Sequence, residues 1–134
     1  MYGRKANMFS HLMDANKEYG LEAVEVVTRP YEQQYYQKGN KVWYIKRLHE
    51  LCKDLPVKTM KLDDLDMSHI LTPRYTLPQL ALHVKLVMNA NLDYPILLGR
   101  EGNVMDGRHR MTLSIVRGMD EIRYQQFNED PAPD

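Results

Sequence analysis

The chain has 134 residues, enough for one substantial hydrophobic core and too few for two ordinary domains. Its 18 basic and 18 acidic side chains cancel, which removes the basic surplus behind nonspecific binding to nucleic acids or anionic membranes and leaves only a local basic patch open. Cys52 is the only cysteine, so neither an internal disulfide framework nor a cysteine-rich zinc site can form.

A reducing compartment suits that cysteine usage. No apolar run approaches the roughly 20 residues that span a bilayer, and no hydrophobic signal core follows the first residues. The expectation is a soluble, unprocessed, cytoplasmic protein with no membrane partner. Nine tyrosines stand against one tryptophan and two phenylalanines, with Tyr31, Tyr35, Tyr36 and Tyr44 crowded near Trp43. Such amphipathic rings suit a core edge or an interface.

In chain order, residues 10–18 read as a short helix stopped by Gly20. Residues 21–28 carry Val24, Val26 and Val27 and read as a strand ended by Pro30. Residues 31–40 are polar, close on Lys38-Gly39-Asn40 and read as a loop before a helix over residues 41–54. That helix places Val42, Ile45, Leu48, Cys52 and Leu55 at helical spacing.

Pro56 stops it, and residues 57–62 alternate as a strand with Val57, Thr59 and Lys61 on one face. Asp63, Asp64 and Asp66 follow in a turn, and residues 68–76 form a loop. A helix over residues 77–89 has an apolar stripe of Leu77, Leu80, Val84, Val87 and Met88, with Pro78 tolerated in its first turn. Residues 94–98 read as a short strand, and Glu101-Gly102-Asn103 as a tight turn into Val104 and Met105.

The segment Asp106-Gly107-Arg108-His109-Arg110 then opens a helix running to Arg117. Asp106 reads as its N-cap, Gly107 lets the backbone approach a ligand, and the first-turn amides of Gly107, Arg108 and His109 point outward. A helix start favours anions, phosphate above all, and Arg108, His109 and Arg110 add charged donors. Met111, Leu113, Ile115 and Val116 cover a wide apolar arc, leaving Arg110, Ser114 and Arg117 on a polar edge. Gly118 is a natural stop, residues 121–127 alternate as a final strand packing Ile122, Tyr124 and Phe127, and residues 128–134 form a loose acidic tail.

From about residue 56 to 127 this order of elements resembles the ParB/sulfiredoxin-like superfamily. The carriers are Leu62-Asp63-Asp64-Leu65 after the first strand, Tyr94-Pro95-Ile96, the run from Gly102 through Arg110, and the helix ending at Gly118. The resemblance implies a compact α/β fold, a mixed sheet with packed helices, preceded by an extension over residues 1–55 that packs on it. It also implies nucleotide-phosphate contacts from Gly107, Arg108, His109 and Arg110, with ATP or CTP and Mg2+ as the cofactor.

The departures matter. Sulfiredoxins carry their catalytic cysteine where this chain has Arg108, so that activity is not expected. ParB has Gly-Glu-Arg-Arg here and continues into a helix-turn-helix region, whereas this chain ends at Asp134, which points to a standalone domain. The Asp-Gly-His-His-Arg motif of the free-serine kinases is nearest in letters, but their downstream glutamate has no counterpart, since Asp64, Asp66 and His69 occupy that stretch.

The leading expectation is a nucleotide-binding, ParB-like regulatory or DNA-associated module. One alternative is a small kinase, ATPase or nuclease using Asp106 and His109, with Asp106 on magnesium and Asp66 or His69 as a base. Another is a nonenzymatic protein-interaction module. His49 and His83 read as ordinary surface or core-edge histidines, the aspartate cluster as a solvated turn, and Cys52 as buried and unreactive. No spacing of His, Cys and carboxylates points to a metal site.

Overall fold

The computed structural model describes residues 30–65 and 75–134. The chain divides into two compact units, Met1–Val27 with Ile70–Asn91 and Thr28–His69 with Leu92–Asp134. The helix expected at residues 10–18, the strand at 21–28, most of the loop at 68–76, Asp66 and His69 lie outside the described residues.

The second unit is mixed α/β with two sheets. Strands β1 (Tyr35–Lys38) and β2 (Lys41–Tyr44) form an antiparallel hairpin, with Lys38 opposite Lys41. This corrects both the loop expected at residues 31–40 and the helix expected from residue 41. The cause is local: Gly39-Asn40 is a two-residue turn, and Gly39 takes φ +64°, the positive φ that such a hairpin needs at its first central position. Val42, Trp43 and Tyr44 are residues that fit a pleated surface.

Helix α1 (Ile45–Cys52) begins after the hairpin and buries Ile45, Leu48 and Cys52. Their spacing is helical as expected; Val42 belongs to β2. A 3₁₀ turn at Tyr31–Gln33 precedes the hairpin.

The main sheet holds β3 (Lys58–Lys61), β4 (Ile96–Leu98), β5 (Val104–Asp106) and β6 (Glu121–Gln126) in the order β3-β6-β4-β5. Pairs β3·β6 and β4·β5 are antiparallel and β4·β6 is parallel. All three residues of β4 are buried, which explains its unbroken apolar run: it has neighbours on both edges and cover on both faces. Leu97 joins Met105, Phe127, Trp43, Ile45, Leu48 and Cys52 in one cluster. Ile96 and Leu98, on the opposite face by strand alternation, join Leu62, Leu65 and Ile122. Residues 30–55 are thus part of this unit's core.

On β3 the inward residue is Met60, while Val57, Thr59 and Lys61 are exposed. The expected face was off by one residue because Met60 pairs with buried Ile122, and a one-residue shift inverts every side chain. Tyr94, expected to begin β4, is 62% exposed. Within β6, Gln125 Nε2 donates to the carbonyls of Cys52 and Leu55, both at 2.9 Å, tying the strand to the end of α1.

Residues 128–134 are tied down rather than loose. Trp43 Nε1 donates to the Pro131 carbonyl (2.8 Å) and Arg47 Nη1 to that of Ala132 (2.7 Å). The Asp134 amide donates to the Val42 carbonyl and the Tyr44 amide to Asp134 Oδ2, both at 2.8 Å, so the tail covers the open edge of β2.

In the first unit, α2 (Leu77–Met88) starts with a capping box between Thr76 and Gln79 and carries Pro78 in its first turn. Its buried residue is Ala81, whereas Leu77 and Leu80 of the expected stripe are 76% and 47% exposed. The inward face begins one turn later than the pattern of large side chains suggested.

Candidate functional site

Helix α3 (Arg108–Val116) starts at the motif, with Gly107 as its N-cap at φ +105°, no side-chain cap and no acid in its first turn. Asp106, expected as the cap, is instead the last residue of β5. Leu98 pairs with Val104 but Leu97 with Asp106, so β5 carries one residue more than β4 at this point. Directly opposed residues share a face, and this bulge therefore turns Asp106 onto the Leu97 side, where α1 packs.

There Asp106 meets His49. His49 Nε2 lies 2.6 Å from Asp106 Oδ2, and Arg110 Nη2 donates to the same oxygen at 3.2 Å. On the far side of the imidazole, Tyr31 Oη lies 2.7 Å from Nδ1, with the two rings stacked at 5.6 Å between centroids. An ionised carboxylate only accepts, so Nε2 carries the proton; in the neutral ring Nδ1 then accepts from the Tyr31 hydroxyl. The result is a line of four groups, Tyr31, His49, Asp106 and Arg110.

Burial by itself raises the Asp106 pKa, but the His49 hydrogen bond and the Arg110 and His49 charges outweigh it, holding the carboxyl below its ordinary value. Desolvation, and next the Asp106 charge, push the Tyr31 phenol up, which makes it a proton donor rather than a phenolate. Cys52 donates to the His49 carbonyl (3.6 Å), and burial raises its thiol pKa.

The glycine at 107 is required twice. Its φ suits no side chain, and a Cβ there would stand 2.7 Å from Ile96 Cγ2 and 3.0 Å from Arg110 Nη2. Arg110 folds back over the glycine, and its Nε is buried with no partner. The expected polar edge of α3 is therefore partly interior: Ser114 is 1% exposed and donates to the Arg110 carbonyl at 2.9 Å. A cavity of about 170 Å³ opens beside Arg110 and Ser114, lined also by Thr59, Tyr94 and Arg123. Conversely Ile115 and Val116, expected in the apolar arc, are 47% and 63% exposed, while Leu113 is fully buried. Gly118, at φ +64°, ends the helix with the bonds Met119 N–H to Ser114 O and Gly118 N–H to Ile115 O, a Schellman motif.

No family model, curated protein or solved structure matches the chain. Among the described residues no helix is long and apolar enough to cross a membrane, and no three His, Cys, Asp or Glu side chains cluster to hold a metal ion.

Of the expected site residues, Gly107, Arg108, His109 and Arg110 sit together at the start of α3, with Arg108 exposed and His109 half-buried. Asp106 is adjacent, but its imidazole partner is His49, not His109. Sequence reasoning passed over His49 and Tyr31. One signal was available: His49 is four residues after Ile45 and three before Cys52, a polar side chain on the core stripe of its helix. Nothing local pointed to Tyr31, 18 residues away.

Proposed function

We propose that the chain is a nucleotide-binding module whose phosphate seat is the start of α3, formed by the backbone from Gly107 and by Arg108, His109 and Arg110. One observation carries the reading: the helix start has no side-chain cap and no first-turn acid, while the adjacent Asp106 carboxylate is already met by His49 and Arg110. A phosphate placed there meets amides and cations, and the neighbouring acid no longer opposes it. The buried, unpartnered Nε of Arg110 is one more donor in reserve. The chain order β3, α2, β4, β5, motif, α3, β6 agrees with what the ParB/sulfiredoxin-like resemblance implies. Because Asp106 Oδ2 already accepts from His49 and Arg110, magnesium is better read as arriving on the nucleotide's own phosphates than on Asp106.

Calorimetry with ATP, CTP and GTP, with and without magnesium, tests this. Binding should weaken about tenfold in Arg108→Ala, the loss of one charge-assisted contact. No heat with any nucleotide or with inorganic phosphate sinks the reading. A mobility assay at low and physiological salt decides DNA association, which a nucleotide-binding module of this kind would add through a separate surface.

The line Tyr31, His49, Asp106 favours a second reading, a nucleotide-dependent enzyme in which an oriented imidazole relays protons between the Tyr31 hydroxyl and the site. It replaces His109 with His49 as the histidine that matters. Phosphate release from a nucleotide should then disappear in His49→Gln and Asp106→Asn while binding persists, whereas His109→Ala should weaken binding and keep turnover at saturating nucleotide. Turnover unchanged in His49→Gln rules the relay out.

A further inference from the structure

Beside the end of the main sheet lies a cavity of about 370 Å³, whose lining includes Lys58, Arg100, Tyr124, Gln126, Phe127 and Asn128 and, among the described residues, no acidic one. The volume falls at the small end of the roughly 300–1,000 Å³ typical of small-molecule sites. Lys58 stands opposite Tyr124 in the β3·β6 ladder, and opposed residues share a face. Gln126, two residues on, shares the face of Tyr124.

Arg100 is delivered from the other side by a pinned turn. Its amide donates to Asp130 Oδ1 (2.8 Å), and Gln126 Nε2 donates to the carbonyls of Gly99 (3.1 Å) and Arg100 (3.2 Å). The Phe127 amide fixes the preceding strand end by donating to Leu98 O at 3.1 Å. Among the described residues neither Lys58 nor Arg100 forms an ion pair, although acids and bases balance over the whole chain. Two cations with no ion-pair partner among the described residues therefore flank one cavity whose other described walls are aromatic, apolar or amide. An arginine fork grips an oxyanion through paired donors, a lysine adds a point charge, and a tyrosine ring takes a planar group in offset contact.

We propose that this cavity binds a small aromatic dianion, its oxyanion between Lys58 and Arg100 and its ring against Tyr124. The site is separate from the start of α3 and does not depend on the nucleotide reading. Its specificity comes from needing both parts of the ligand: the anion alone leaves the ring wall wet, and a neutral ring leaves two cations unmatched.

A titration of the full chain with phenyl phosphate, followed by ¹⁵N-resolved NMR, tests the proposal. Saturable shifts are expected at the amides of Lys58, Arg100, Tyr124 and Asn128, with a Kd of about 5 mM or tighter for a ligand of this size. Inorganic phosphate and phenol should each bind at least about tenfold more weakly, and Lys58→Gln and Arg100→Gln should each weaken phenyl phosphate about fivefold or more while Arg108→Ala leaves it unchanged. Shifts confined to the start of α3, equal binding of inorganic phosphate, or no saturable shift at these four amides would each overturn it.

Discussion

Replacing Asp106 with asparagine tests the line of groups behind the motif most directly. The carboxylate accepts from His49 Nε2 and Arg110 Nη2 through one oxygen; an amide oxygen there can still accept both, but the negative charge that strengthens the two bonds is gone. A hydrogen bond to a charged group contributes about 1.5–3 kcal/mol where water is excluded. Here the side chains of Asp106 and Arg110 keep 24% and 20% of their exposure and His49 keeps 40%, so solvent recovers part of each bond, and more of the His49 one. The expected loss in Asp106→Asn is about 2 kcal/mol at pH 7.

Its pH dependence has a definite sign. Burial pushes the Asp106 pKa up, but the His49 hydrogen bond and the Arg110 and His49 charges push it down further. A carboxylate whose folded pKa is depressed contributes stability in full above its unfolded value of about 3.9 and loses it as pH falls through the folded value. The gap between wild type and Asp106→Asn should therefore be full at pH 7 and shrink below about pH 4. Urea denaturation followed by the fluorescence of Trp43, the only tryptophan, measures both. Equal stability at pH 7, or a gap undiminished near pH 3, would refute the electrostatic reasoning. A double-mutant cycle with His49→Ala should show coupling of about 1 kcal/mol.

Three further outcomes are expected. Gly107→Ala should lose about 1–3 kcal/mol in the same denaturation assay, because it combines a positive φ with a Cβ 2.7 Å from Ile96 Cγ2. Arg47→Ala should cost less than about 1 kcal/mol globally, since its pair with Asp134 is part-exposed, yet speed hydrogen exchange at the Asp134 amide by releasing the tail. Cys52, 6% exposed and with its thiol pKa raised by burial, should react with a disulfide reagent only as fast as the protein opens, so labelling in increasing urea should follow the Trp43 transition.

Much of the second unit was legible in the sequence because its signals are local. The apolar run of β4, the spacing of Ile45, Leu48 and Cys52, and the glycine stop at Gly118 each follow from periodicity or backbone freedom within a few residues. The hairpin of residues 35–44 was legible too, in Gly39-Asn40 between aromatic flanks, but the helical spacing that begins at Ile45 extends by chance to Val42 and hid it.

The amino-acid sequence by itself determined that a glycine followed by two arginines and a histidine would stand at a helix start, since Gly107 alone tolerates the turn. It also determined the mixed α/β character of the main sheet. Only the tertiary structure decided what surrounds that start. The bulge opposite Leu97 and Leu98 turned Asp106 from a helix cap into the partner of His49, and the packing of α1 on that face brought in Tyr31. The physical reason is that a strand's side chains change faces with each residue: one extra residue in β5 moves a carboxylate across the sheet, and no local pattern of letters records on which side its partners wait.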